Sequence, residues 1–218
     1  KKKFWKNLMK QELIKRILSS IILLPIAFFF IVKGSFFFTF FLLICLAVTV
    51  YEWHMMSKKK YYRVFGFIFL FLSFYTIYKI RIDINDYWFL LFVTIICIST
   101  DIGGYVFGKI LKGPKLTKIS PKKTYAGMIG GYLLSIISTI IFADFYLSEE
   151  LTAKWFIFII LISTISQLGD IIISYFKRLS KIKDTGKIIP GHGGLLDRVD
   201  GMIFAFPFSY FVFLIDIL

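Results

Sequence analysis

The chain has 218 residues, 58% of them hydrophobic and 27 of them Phe, with a formal net charge of +14. A water-soluble domain averages about 45–50% apolar, so this composition excludes an ordinary soluble fold and makes lipid the natural solvent. The basic excess does not indicate nucleic acid, because most of the 27 Lys and Arg fall in alternate loops between apolar runs.

In chain order, the start KKKFWKNLMKQELIKR keeps Phe4, Leu8, Ile14 and Ile17 near one face, the pattern of an interfacial helix leading into a first span. No small-residue cleavage site follows Val32, which argues against a signal peptide. Seven apolar runs come next: Ile17–Val32, Ser35–Tyr51, Val64–Tyr78, Trp88–Ser99, Tyr125–Leu147, Trp155–Phe176 and Gly201–Ile215. The third and fourth are short against the ~20 residues needed to cross ~30 Å of hydrocarbon. The basic N-terminus and the basic loops 52–63, 100–124 and 177–200 belong on the cytoplasmic side by the positive-inside asymmetry. The fold class is all-α: one polytopic membrane domain over residues 1–218, with about seven transmembrane helices and a cytoplasmic N-terminus. Residues 1–100 read mainly as scaffold, and 101–201 as a catalytic half with two cytoplasmic loops. Cys45 and Cys97 lie inside apolar runs without a CxxC pair and read as small buried hydrophobes. Asp83 and Asp86 fall in an outer loop and read as solvated acids.

The first polar loop is DIGGYVFGKILKGPKLTKISPKKT, residues 101–124. Gly103–Lys109 matches GxxxxGK, but Ile110 stands where a P-loop holds Mg²⁺ with Ser or Thr, and a membrane helix precedes it instead of a strand. SPKKT, Ser120–Thr124, sets two hydroxyls and two Lys around a turn-forming Pro; a phosphate clamp and a plain basic turn fit equally. Asp101, at the membrane edge, is a candidate to line the same crevice. In AGMIGG the small pairs Ala126/Gly130 and Gly127/Gly131 are four apart, as helix–helix packing requires.

Asp170 is the sharpest single residue. It lies in SQLGDIIISYFKR, about 10 Å below the basic helix end at 1.5 Å per residue. An isolated Asp at mid-membrane costs about 2.5–3.5 kcal/mol, so a partner or a purpose is expected. Ser174, Lys177 and Arg178 follow at i+4, i+7 and i+8 and can share its face. Asp197 and Asp200 are i, i+3 at the entry to the last run, a spacing that on a helix aims both carboxylates one way. Capping is the structural alternative for one of them. Three carboxylates without a Cys or a second His suit a hard ion such as Mg²⁺ better than zinc. Around them stand Lys177, Arg178, Lys181, Lys183, Lys187 and Arg198, a set suited to phosphates. Pro190–Gly194, PGHGG, lets backbone N–H groups approach an anion, and His192 fits either an acid–base or a turn role.

Ser174–Asp200, SYFKRLSKIKDTGKIIPGHGGLLDRVD, resembles the signature of the phosphatidate cytidylyltransferases (CDP-diacylglycerol synthases): Ser, Lys-Arg, Lys-Asp, Pro or Gly, His-Gly-Gly, Asp-Arg-x-Asp. DIGGYVFGK and SPKKT are similar to the family's upstream segments, so the resemblance covers roughly residues 100–201. It implies transfer of CMP from CTP to phosphatidic acid, with release of pyrophosphate, in phospholipid biosynthesis. By the same resemblance Asp170, Asp197 and Asp200 hold Mg²⁺, with a monovalent cation such as K⁺ as a second candidate ion. Lys177, Arg178, Lys183 and Arg198 hold phosphates. Ser120, Lys123 and Thr124 contribute from the other loop, and Ser174, His192, Gly193 and Gly194 complete the substrate-binding set. The family usually has Glu where this chain has Ala126. The implied partners are CTP, phosphatidic acid and the lipid bilayer, not nucleic acid, with a homodimer as an assembly to test. The implied location is a bacterial inner (plasma) membrane, with the active site facing the cytoplasm.

A polyprenol or phytol kinase is the neighbouring enzyme class, and the intact His-Gly-Gly and Asp-Arg-x-Asp block favours the cytidylyltransferase. A CDP-alcohol phosphotransferase fails because DGMIFA lacks the Arg of DGxxAR. An ion transporter built on Asp170 would call for an inverted repeat, and none is visible.

Overall fold

The computed structural model describes residues 19, 21–84, 87–146, 151–191 and 193–215. The N-terminal interfacial segment, Asp86 and His192 lie outside the described residues. Among those described the protein is helical, with two isolated bridge pairs, Lys115 with Thr124 and Ile189 with Gly193, and no strand. The helices are α1 (Ile21–Lys33), α2 (Ser35–Met56), α3 (Arg63–Asp83), α4 (Tyr87–Leu111), α5 (Tyr125–Tyr146), α6 (Ala153–Leu179), α7 (Leu196–Val199) and α8 (Met202–Leu214).

The all-α membrane architecture is therefore present, with five helices among the described residues, α2–α6, long and apolar enough to span. α1 and α8 are shorter apolar helices; the 13 residues of α8 reach about 20 Å, short of the ~30 Å hydrocarbon core. The short third and fourth runs become full helices of 21 and 25 residues. In α4 the apolar pattern stops at Ser99, but the helix continues through Asp101 and the glycines to Leu111. The first part of the expected 100–124 loop is thus helical, and the connection starts at Lys112.

The burial pattern is that of a membrane protein. Phe36, Phe65 and Phe145 are about three-quarters exposed, whereas Thr100, Ser135, Thr139, Ser163 and Ser209 are almost completely buried. Lipid solvates apolar side chains, so hydroxyls gain by turning inward to partners. Contacts divide the chain into two compact units, Lys1–Leu70 with Ile182–Val199, and Phe71–Lys181 with Asp200–Leu218.

In the first unit α2 packs against α7. Its last turns bury Glu52, Trp53 and Met56. The Trp53 indole Nε1 donates to the Arg63 carbonyl at 3.0 Å, and Arg63 Nη2 donates to His54 Nδ1 at 2.6 Å. These bonds tie the end of α2 to the start of α3 across the Lys-rich turn 58–60.

In the second unit α4 and α5 meet along a seam of small residues. A Cβ on Gly127 would lie 2.6 Å from the Gly104 carbonyl, and one on Gly103 would strike the Gly130 carbonyl. The packing role read for AGMIGG is thereby borne out for Gly127, Gly130 and Gly131, all buried. Hydroxyl pairs tie α4, α5 and α6: Thr100 to Ser163 at 2.8 Å, Ser138 to Ser99 at 2.7 Å and Tyr132 with Thr164 at 2.9 Å. Away from the polar end, Trp88, Phe92, Phe142, Tyr146, Trp155 and Phe158 form a contiguous aromatic cluster. Asp83 is not simply solvated: it accepts from Lys79 and from the Tyr210 hydroxyl, each at 2.7 Å.

α8 contains Pro207, whose missing N–H would leave the Ile203 carbonyl without its helical partner. The Ser73 hydroxyl of α3 donates to that carbonyl at 2.6 Å and takes over the lost bond. Ser73→Ala should therefore destabilise the detergent-solubilised protein by about 1–3 kcal/mol, the range for an orphaned buried acceptor. In the Pro207→Ala background the same change should cost well under half as much. Thermal melts of the four proteins in a double-mutant cycle check this, and equal costs in both backgrounds would refute the replacement.

Candidate functional site

Two polar assemblies carry the predicted site residues, one in each unit. In the second unit, α6 presents Asp170, Ser174 and Lys177 on one face, as their spacing predicts. Ser174 Oγ donates to Asp170 Oδ1 at 3.3 Å. Asp170 Oδ2 pairs with Lys123 Nζ at 2.5 Å, so the SPKKT turn and α6 do meet. That turn closes by Lys123 N–H to the Ser120 carbonyl at 3.0 Å, with Pro121 setting its φ. Thr124 has a local task, because its Oγ1 accepts from the Gly127 N–H at 3.1 Å and caps the start of α5.

Asp200 lies in the turn between α7 and α8, so Asp197 and Asp200 do not share one helix as the i, i+3 reading expected. Asp200 is 6% exposed. Its Oδ1 accepts from the Gly201 N–H at 3.0 Å, and its Oδ2 is 3.7 Å from Lys177 Nζ. Burial, and next the Asp170 charge, push the Asp200 carboxyl well above the usual carboxylate range; Asp101 adds to this, and Lys177 and Lys123 oppose it. Two glycines permit the approach. A Cβ on Gly169 would lie 3.0 Å from the Asp200 carbonyl, and one on Gly201 would strike the Ser166 hydroxyl. The Gly-Asp of α6 and the Asp-Gly before α8 thus dock backbone to backbone, which brings two acids into one electrostatic unit. Arg178 is exposed at the end of α6.

In the first unit, the signature loop is built around two carboxylates. Asp197 Oδ2 accepts from the N–H groups of Thr185 at 2.8 Å and Gly194 at 3.0 Å. Glu52, from α2, accepts from Thr185 Oγ1 at 3.1 Å, Leu195 N–H at 3.0 Å and Leu196 N–H at 2.8 Å. The Gly193 N–H bonds the Ile189 carbonyl at 3.2 Å, with Gly191 and Gly193 at positive φ closing the turn. Of the His-Gly-Gly stretch, the Gly194 N–H meets a carboxylate of the protein's own, Asp197. Lys183, Lys187 and Arg198 are exposed on this frame.

Glu52 is the functional candidate that sequence reading missed. The signal was present: a lone acid in LAVTVYEWHMM meets the same criterion that singled out Asp170. It was hidden by its position, at the edge of a run treated as scaffold and next to a basic loop.

Among the described residues no group of three His, Cys, Asp or Glu side chains is arranged to hold a metal ion. The donor chemistry still suits a hard cation at Asp170 and Asp200. Both are carboxylates, each has drawn a lysine ammonium, and the charge of one disfavours ionisation of the other. Mg²⁺ commonly takes one or two carboxylates and leaves its remaining positions to water and phosphate, so two acids suffice. Asp197 Oδ2 is instead committed to holding its loop.

Residues 63–216 match the model of the cytidylyltransferase family. A curated phosphatidate cytidylyltransferase of Rickettsia bellii is 34% identical over 220 residues, covering 95% of this chain and 93% of that protein. The protein of that name from Rickettsia felis is 33% identical over 215 residues, with 93% of each covered. One from Staphylococcus saprophyticus is 39% identical over 142 residues, which is 62% of this chain and 52% of its own length.

The raised Asp200 carboxyl has a stability consequence. The folded state holds this proton more tightly than the unfolded chain, so stability falls as pH rises from the ordinary carboxylate range of about 4 towards the raised value. In chelator, wild type should melt progressively lower as pH rises above the ordinary carboxylate range, and Asp200→Asn should flatten that decline. A steeper decline in Asp200→Asn would contradict the assignment.

Proposed function

The chain belongs to the cytidylyltransferase family, and on that premise we propose that it transfers CMP from CTP to phosphatidic acid, giving CDP-diacylglycerol and pyrophosphate. The observation that carries this reading is the cluster of half-buried Asp170 and buried Asp200 with Lys123 and Lys177 paired to them. Opposed acids and lysines in one cluster suit a reaction whose reactants all carry phosphate.

A phosphate oxygen of phosphatidic acid attacks the α-phosphorus of CTP, and the bond to the β-phosphate breaks as pyrophosphate leaves. The attacking oxygen is already anionic, so no strong base is required, and positioning with charge neutralisation does the catalysis. Lys123 and Lys177 turn from the acids to the phosphates, with Arg178 beside them. Lys183 and Arg198 bind phosphate from the signature loop, where Asp197 keeps the frame. Ser120 and Ser174 are the hydroxyls proposed to contact substrate, and His192 is retained as a candidate binding residue. Asp170 and Asp200 would hold Mg²⁺, which supplies charge neutralisation on the leaving pyrophosphate. A monovalent cation is a further candidate, tested by the same titration.

The setting proposed is a bacterial inner membrane, with the N-terminus and the polar ends facing the cytoplasm, where CTP is available. The basic loops support this orientation. α1 and α8 bring the spans to seven, with thinning of the bilayer or snorkelling of flanking residues accommodating their short length. A homodimer is the assembly to test by cross-linking in membranes.

The test is formation of labelled CDP-diacylglycerol from radiolabelled CTP and phosphatidic acid in detergent, with and without Mg²⁺. Wild type should form product only with the metal. Asp170→Asn and Asp200→Asn should each lower kcat by about 100-fold or more, the scale for losing a charge-stabilising group. Asp197→Asn, whose amide oxygen still accepts from the loop, should lose no more than about 10-fold. Absence of product from well-folded protein that phosphorylates a long-chain alcohol instead would replace this reading with a lipid kinase.

A further inference from the structure

We propose that Glu52 is a positioning residue for the nucleotide site: it clamps the neck of the signature loop, so that Lys183, Lys187 and Arg198 project from a fixed frame. This rests on the nucleotide-transfer reading above and adds a residue from α2, outside the block that carries the family signature.

Glu52 is 1% exposed, and an acid buried at the end of a membrane helix is costly to keep. Both of its oxygens are engaged. Oε1 accepts from Leu195 N–H, and Oε2 accepts from Leu196 N–H and Thr185 Oγ1. The donors come from the two ends of the loop, Thr185 on one side and Leu195–Leu196 on the other. Asp197 joins the same ends a second time, through the N–H groups of Thr185 and Gly194. Thr185 therefore gives its hydroxyl to one carboxylate and its N–H to the other, and the neck is closed by two acids sharing one residue.

The surrounding sequence is shaped by this clamp. A Cβ on Gly186 would lie 2.6 Å from Glu52 Oε1, and one on Gly194 would strike both Thr185 Oγ1 and the Glu52 carboxylate. Thus glycines in DTGK and GHGG make room for Glu52. The tip is fastened as well, since Ser19 Oγ donates to the Pro190 carbonyl at 3.2 Å. A loop tied at neck and tip presents its basic side chains without an ordering penalty on each binding event.

The clamp predicts weaker nucleotide binding in its absence, with the chemical step largely spared. Glu52→Gln replaces one acceptor oxygen with a donor facing donors. It should raise the KM for CTP by about 10- to 100-fold, the equivalent of one or two charge-assisted hydrogen bonds, with kcat changed by less than about 3-fold. Trypsin should cut after Lys187 at least about 10-fold faster, because local opening no longer has to break the neck. Thr185→Val, a milder lesion, should move both readouts the same way, and Thr185→Ser should restore them. A Glu52→Gln protein with wild-type KM and wild-type cleavage would overturn the proposal. So would a lowered melting temperature with KM unchanged, which marks a purely structural acid. Wild type that makes no CDP-diacylglycerol would defeat the nucleotide-transfer reading alone, and the cleavage rates at Lys187 would still decide for or against the clamp.

Discussion

A carboxylate withdrawn from water at the edge of a membrane has to be met by donors or by a cation, and this structure is organised around how its acids are met. Glu52 and Asp197 are satisfied within the fold, by four backbone N–H groups and one hydroxyl. Asp170 is met by a flexible lysine from a surface turn. Asp200 has a longer ion pair and an acidic neighbour, and its raised carboxyl records the imbalance. Fixed donors hold a frame, whereas lysines on long stems can be exchanged for another cation or lent to a phosphate.

The same rule extends into the apolar interior. Hydroxyls of α4, α5 and α6 pair across helices, and Ser73 supplies the donor that Pro207 removes from α8. Glycine does the complementary steric work. The α4–α5 seam and the Gly169–Gly201 approach draw backbones together, and the second of these puts Asp170 and Asp200 in one field. Packing and electrostatics are therefore one design: the small residues that let the helices close also create the charge density that a cation or a phosphate-bearing substrate would relieve.

For nucleotidyl transfer this division of labour is apt. The reaction asks little of acid–base chemistry and much of placement and charge. A loop presenting basic side chains and a cluster of lysine–carboxylate ion pairs suit those two demands.

How much of this was legible beforehand depended on the range of the interaction. Hydropathy marked the apolar helices, since solvation by lipid acts on each side chain locally; α2, α3 and α4 run past the ends of their apolar runs, α4 the furthest, where it packs on α5. Asp170 with Ser174 and Lys177 could be read from helical spacing, and the small residues of AGMIGG from theirs. The helix sharing expected of Asp197 and Asp200 failed because a turn intervenes, and no local pattern reveals a helix of four residues. Glu52 escaped because its partners are more than 130 positions away. The amino-acid sequence by itself determined which segments live in lipid and which residue types gather at the polar ends, because transfer free energy is a property of each side chain. Which donor answers which carboxylate was decided only by the tertiary structure, because a hydrogen bond depends on distances of about 3 Å between groups that the chain order leaves far apart.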